Sequence, residues 1–126
     1  MAKGEVILSF QQFDLLDNSC SDARKIRGYL QDDTLIYRED GYEHFVCFSE
    51  KEVILKRKGE FGSLVKLSLD GIQDTIIYSP YGEMVYKSKL LAMDKARNSW
   101  SVTYQIYAEE DVLTHQRLVW GIEYLQ

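Results

Sequence analysis

Residues 100–108 read Trp-Ser-Val-Thr-Tyr-Gln-Ile-Tyr-Ala and show the clearest secondary-structure pattern in the sequence. The side chains at alternate positions fall into a more apolar and a more polar set, which is the period-two pattern of a β-strand with one buried face. The acidic segment 109–111 then leads into a second run that ends at residue 124. The two runs predict a long β-hairpin, and the second one places on one face Val112, Leu118, Trp120, Ile122 and Tyr124.

The same alternation recurs upstream, where turn signals separate the apolar runs. Asp40-Gly41 and Asp70-Gly71 are the strongest of these signals, because glycine accepts the positive φ angle of tight hairpin turns. Residue types that favour strands (Val, Ile, Thr, Phe, Tyr and Trp) number 37 against 5 Ala, which argues against a helical bundle. We therefore predict one domain over residues 1–126 with about ten strands, of which those upstream of the hairpin cover residues 6–11, 25–31, 35–39, 43–49, 53–58, 63–69, 73–78 and 84–91.

Such an antiparallel meander has to close or fold over on itself to hide its edges. An up-and-down barrel fits these hairpins at least as well as a sandwich does. A barrel of about eight to ten strands has an interior that side chains fill or that holds one small ligand. Bulky inward residues favour a filled core, whereas nine tyrosines are also typical of a wet or ligand-bearing cavity. The residues predicted to point inward are Leu8, Phe10, Leu55, Tyr86, Tyr104, Ile106, Trp120 and Tyr124.

Composition and charge narrow the classes of partner. The net charge of −5 and a pI near 5.0 disfavour binding to nucleic acid or to an anionic membrane. The first residues show no signal peptide, and no apolar run approaches the length of a membrane span. Cys20 and Cys47 form no CxxC motif, and we expect free thiols rather than a disulfide. We predict a cytoplasmic protein, a monomer or a homodimer, that binds neither nucleic acid nor membrane.

Catalytic signatures are missing from the sequence. It contains no GxGxxG, P-loop, GxSxG or HExxH motif. The histidines, His44 and His115, have no metal-ligand spacing, and we expect both to be surface or structural residues. We therefore predict no catalytic residue, no metal site and no cofactor, and enzymatic activity is the least favoured of the possible functions.

Several short motifs occur in an order that resembles a known family. Gly28-Tyr29 is followed by the segments 35–39 (Leu-Ile-Tyr-Arg-Glu), 53–59 (Val-Ile-Leu-Lys-Arg-Lys-Gly) and 78–82 (Tyr-Ser-Pro-Tyr-Gly), and a long hairpin ends the sequence. This order resembles the YwiB-like family of bacterial domain-of-unknown-function proteins. The resemblance covers nearly the whole chain and implies a closed antiparallel barrel of the calycin (lipocalin-like) type, with a ligand in the lumen in wider relatives. It implies no catalytic residues.

The candidate site is the lumen of this barrel. Arg57 shares a strand face with Val53 and Leu55, so alternation aims it inward, where its planar guanidinium suits a carboxylate or a phosphate. Pairing with a buried acid and an outward turn at the rim are the alternatives. The leading hypothesis is that the barrel binds a small apolar or amphipathic molecule, and the alternative is a filled barrel that serves as a protein–protein interaction module. The candidate ligand-binding residues are Tyr37, Arg57, Tyr86, Tyr104 and Trp120.

Overall fold

The computed structural model describes residues 3–125, which form eleven β-strands and no helix, and hence no helix that could cross a membrane. The strands are β1 (Lys3–Asp14), β2 (Ser19–Cys20), β3 (Arg24–Gln31), β4 (Thr34–Glu39), β5 (Tyr42–Phe48), β6 (Glu52–Lys58), β7 (Ser63–Ser68), β8 (Gln73–Ser79), β9 (Gly82–Lys95), β10 (Ser99–Ala108) and β11 (Asp111–Tyr124).

The sheet is antiparallel and closes on itself. From β3 to β11 each strand pairs with the next one in sequence, and β1 pairs with both β3 and β11. The short β2 pairs only with the end of β1, so the barrel proper has ten strands. Closure leaves no long unpaired edge, which is the physical advantage of a barrel over an open meander. The predicted closed antiparallel barrel is therefore confirmed.

The turns follow the local chemistry of their residues. Asp40 and Gly41 have φ angles of 54° and 82°, as a type I′ hairpin turn requires. Pro80 occupies the turn between β8 and β9. Proline has no backbone N–H, and none is needed at this position because it lies outside the hydrogen-bonded ladder. The Ser79 hydroxyl accepts a hydrogen bond from the Tyr81 amide, which braces this corner.

The interior divides into two halves along the barrel axis. The half that holds the β3–β4 and β5–β6 turns has an aromatic core, and a depression at its end is lined in part by Leu30, Asp33 and Lys95. At the centre of this core the Phe48 ring lies 5.0 Å from that of Trp100 and 6.0 Å from that of Trp120, measured between ring centroids. Tight packing also explains Gly28, because a Cβ atom there would lie 2.9 Å from the Ile36 carbonyl oxygen. The opposite half, at the end of the β4–β5 and β6–β7 turns, contains a cavity.

Two local expectations need correction. Val112 is exposed rather than on the apolar face of β11, because a bulge opposite Ile106 and Tyr107 shifts the register and reverses the orientation of the residues beyond it. The strand predicted over residues 84–91 extends to Lys95, and its last residues continue the ladder with β10. Cys20 and Cys47 are both free.

Candidate functional site

The cavity has a volume of about 340 Å³ and lies inside the barrel at the end of the β4–β5 and β6–β7 turns. Eight of the ten barrel strands contribute to its wall. The principal lining residues are Phe10, Gln12, Arg24, Tyr37, Glu39, Asp40, Tyr42, His44, Leu55, Arg57, Ser63, Val65, Tyr104, Gln116, Leu118 and Trp120.

Aromatic rings form the floor of the pocket. The ring centroids of Phe10 and Trp120 lie 5.5 Å apart, and both residues are buried. The Trp120 indole Nε1 donates a hydrogen bond of 3.1 Å to the Tyr37 hydroxyl, also buried. Burial raises the pKa of Tyr37 to about 12, so this phenol stays neutral at physiological pH. The floor is therefore apolar and uncharged.

A row of three side chains crosses one wall. The strand register places Tyr37 opposite His44, and His44 opposite Arg57. Residues that pair directly across antiparallel strands project to the same side, so all three face the pocket. The Tyr37 and His44 rings are stacked, with centroids 4.8 Å apart and planes inclined by 9°. Burial lowers the pKa of His44. The charges of Glu39 and Asp40 act against this effect and those of Arg57 and Arg24 add to it, and the net lowering of the pKa favours a neutral imidazole.

The two arginines of the pocket differ in their charge partners. Arg24 makes a two-pronged ion pair with Glu39, with Nε–Oε2 and Nη2–Oε1 distances of 2.6 and 2.9 Å. The hydrogen bond to Glu39 is the largest cause that raises the pKa of Arg24. Arg57 forms no ion pair with any residue of the described chain. Its Nε donates a hydrogen bond of 3.1 Å to the Phe61 carbonyl oxygen, and its guanidinium carbon lies 4.8 Å from the centre of the Tyr42 ring.

A chain of polar groups lies on the opposite wall, formed by β1, β10 and β11. Gln12 donates a hydrogen bond of 2.6 Å to the Gln116 side-chain oxygen. Gln116 in turn donates through Nε2 to the Tyr104 hydroxyl. Burial raises the pKa of Tyr104 to about 12, so its hydroxyl also remains protonated. This wall supplies neutral hydrogen-bonding groups, in contrast to the charged wall opposite.

Four of the five residues singled out in the sequence meet in this pocket: Tyr37, Arg57, Tyr104 and Trp120. The fifth, Tyr86, is half-buried on β9 opposite Thr75, and its hydroxyl lies 3.4 Å from the Met84 sulfur. It does not line the pocket.

The candidates from the sequence do not include several polar residues that line the same pocket, among them Arg24, Glu39, His44 and Gln116. For His44 a usable signal existed, because the Asp40-Gly41 turn fixes the register that sets it opposite Tyr37. Gln116 joins the pocket only through closure of the barrel between β1 and β11, which local patterns do not encode. Arg24 lies one residue before the strand predicted over 25–31, so the sequence pattern assigns it no strand face. Within residues 3–125 no three His, Cys, Asp or Glu side chains form a group suited to a metal ion.

Comparison with known proteins bears on the fold. No family model and no curated protein matches the chain. Among solved structures, the crystal structure of the YwiB protein from Bacillus subtilis is similar, with a TM-score of 0.65 and 12% sequence identity. The match covers 97% of this chain and 94% of YwiB. The chain thus has the fold of YwiB, an all-β barrel, which confirms at the level of the fold the resemblance to the YwiB-like family seen in the sequence.

Proposed function

We propose that the protein binds a small amphipathic molecule in the pocket at the β4–β5 end of the barrel. The observation that carries this proposal is the cavity of about 340 Å³ between an aromatic floor and a polar rim. Pockets for small ligands in proteins begin at about 300 Å³ and combine apolar walls with a few placed polar groups. At about 30 Å³ for each water-sized group, the space suits a molecule of roughly a dozen non-hydrogen atoms.

The distribution of polarity within the pocket supports an amphipathic ligand. Phe10, Leu118 and Trp120 are buried and form apolar surface deep in the barrel. Asp40 is exposed and Arg57 is half-buried, and both belong to the strand ends and turns at the rim. A ligand that places its apolar part on the floor and its polar part at the rim meets both kinds of surface.

Native mass spectrometry of gently purified protein, compared with its denatured mass, tests the proposal. We expect an added mass that is lost on denaturation and that gives the molecular weight of the ligand. Ser63→Phe should remove the added mass, because Ser63 lines the pocket and a phenyl ring there occupies the cavity. Ser101→Phe is the matched control, since Ser101 alternates with the buried Trp100 and Val102 and faces away from the lumen.

Either of two results would overturn the proposal. The first is a bare protein mass both after purification and after incubation with a panel of naphthalene-based and alkyl amphipaths. The second is an added mass that Ser63→Phe leaves unchanged, which would place the bound molecule outside the barrel.

A further inference from the structure

Resting on the proposed ligand pocket, we propose that the ligand is a carboxylate whose head group binds to Arg57 and to the hydroxyl of Tyr104, with an aromatic or apolar body on the floor formed by Trp120. The proposal follows from the hydrogen-bonding capacity that the pocket leaves unused.

Arg57 is a cation that the described protein holds in place but does not neutralise. Its Nε is committed to the Phe61 carbonyl oxygen, and the face of its guanidinium rests on the Tyr42 ring. These contacts fix the plane of the group, while the described structure gives its two terminal nitrogens no carboxylate partner. Two parallel N–H donors in one plane match the two oxygens of a carboxylate, and fixing them in advance reduces the entropy lost on binding.

Among the charged residues of the pocket, Arg57 is the one available to bind an anionic head group. Arg24 is engaged by both oxygens of Glu39, so neither charge of that pair is free for a ligand. The remaining acid, Asp40, is exposed on the type I′ turn at the rim, where water screens its charge. His44 favours its neutral form and so adds no second cation. Lys56 also borders the pocket, but it is exposed, and its Nζ lies 5.9 Å from the centre of the Phe45 ring. A single oriented positive charge predicts a singly charged head group.

Two buried hydroxyls in the same pocket also have unused donors. The Tyr37 hydroxyl accepts from the Trp120 indole and the Tyr104 hydroxyl accepts from Gln116, so each keeps its own hydrogen. No protein acceptor for either hydrogen is found among residues 3–125. Tyr104 and Arg57 line the same pocket, and the charge of Arg57 lowers the pKa of Tyr104 against the larger effect of burial. An anionic oxygen between Arg57 and Tyr104 would use both unused donors.

Gly59 makes the position of Arg57 possible. A Cβ atom at Gly59 would lie 2.3 Å from Cδ1 of the Tyr42 ring, so any side chain there displaces the ring on which Arg57 rests. Gly59→Ala therefore disturbs the orientation of the guanidinium without removing its charge. Because Gly59 lies in the exposed β6–β7 turn, the barrel core is not involved.

The test uses two probes of nearly equal shape, 2-naphthoate and its neutral analogue 2-naphthamide, titrated into the full chain by calorimetry. We expect the wild type to prefer naphthoate by about ten-fold or more, the usual gain from a hydrogen bond to a charged group. Arg57→Gln should abolish this preference, and Gly59→Ala should reduce it. Arg117→Gln is the matched control, because Arg117 also lies over an aromatic ring, that of Phe13 at 5.7 Å, but does not line the pocket.

The outcomes separate this inference from the function on which it rests. If naphthamide binds as tightly as naphthoate, or if Arg57→Gln keeps the preference, the carboxylate assignment is wrong while the ligand pocket stands. If neither probe binds the wild type and no added mass is found by native mass spectrometry, both proposals fail. If Arg117→Gln lowers the preference as much as Arg57→Gln does, the effect is one of net charge, and the proposed head-group site is wrong.

Discussion

The Tyr37 ring lies flat against the imidazole of His44, with ring centroids 4.8 Å apart and planes inclined by 9°. The two residues pair directly across β4 and β5, beside the turn at Asp40-Gly41. This stack joins the apolar floor of the pocket to its charged wall, because Tyr37 bonds to Trp120 on one side and His44 pairs with Arg57 on the other. The titration of His44 is therefore coupled to the stability of the pocket.

His44→Phe should make folding less sensitive to acid. Burial holds the folded-state pKa of His44 below its ordinary value of 6.5, so between these two pKa values the unfolded chain binds a proton that the folded chain does not. The free energy of unfolding of the wild type therefore falls as the pH drops below about 6.5. The charged residues that act on His44 are present in both proteins, so their own contributions to the free energy of unfolding largely cancel in the comparison. These residues are Glu39, Asp40, Arg24 and Arg57.

Urea denaturation of the wild type and His44→Phe at several pH values between 7.5 and 5 measures this difference. Phe keeps a flat ring against Tyr37, so the stack itself survives. Parallel pH profiles for the two proteins would contradict the assignment of a lowered pKa to His44.

Tyr37→Phe should destabilise the fold. The change removes the acceptor of the Trp120 indole N–H at a position where both residues are buried, and an unsatisfied buried donor costs about 1–3 kcal/mol. Tyr29→Phe is the matched control, because Tyr29 is exposed and its replacement should change the free energy of unfolding by less than about 0.5 kcal/mol. Equal losses in chemical denaturation of the two variants would show that the indole bond contributes nothing.

Ser88→Ala should weaken the barrel where β7 and β8 separate. These strands pair only over residues 63–65 and 75–77, and beyond that point the Lys66 carbonyl oxygen accepts a hydrogen bond of 2.7 Å from the buried Ser88 hydroxyl. Loss of this bond leaves a backbone acceptor unsatisfied, at a cost of about 1–3 kcal/mol. Thermal unfolding should show a clear fall in Tm for Ser88→Ala and almost none for Ser101→Ala on the outer face of β10.

Thr75→Val should have the opposite effect. Thr75 is fully buried, and its Oγ1 has no hydrogen-bond partner among the described residues. Valine has nearly the same shape and removes the buried hydroxyl, whose burial without a partner costs about 1–3 kcal/mol. We expect a higher Tm than that of the wild type, whereas the half-buried Thr103→Val should stay close to it. A lower Tm for Thr75→Val would indicate that the hydroxyl is satisfied in solution.

The sequence predicts the fold well because alternation and turn residues are local signals. Residues 100–108 and the turn at Asp40-Gly41 specify strands and register over short distances, and closure follows from the need to hide edges. The error at Val112 has a physical reason, since one bulged residue reverses every side chain beyond it without a signature in composition.

The site is less predictable because it depends on contacts between distant segments. Alternation is sufficient to aim Arg57 inward. The hydrogen bond from Gln12 to Gln116, by contrast, forms only when β1 pairs with β11 at the closure of the barrel. The cavity is the part of the barrel interior that the inward side chains leave unfilled. Its volume depends on how those side chains pack together, which no local sequence pattern predicts.

An amide NMR titration of the full chain with 2-naphthoate tests most directly whether the pocket binds a small carboxylate. We predict that the resonances of His44, Arg57 and Gln116 shift in a saturable manner, while those of Asp33 and Lys95, which line the depression at the other end of the barrel, stay in place. Shifts confined to that other end, or no shifts at millimolar ligand, would contradict the claim that this pocket binds a small carboxylate.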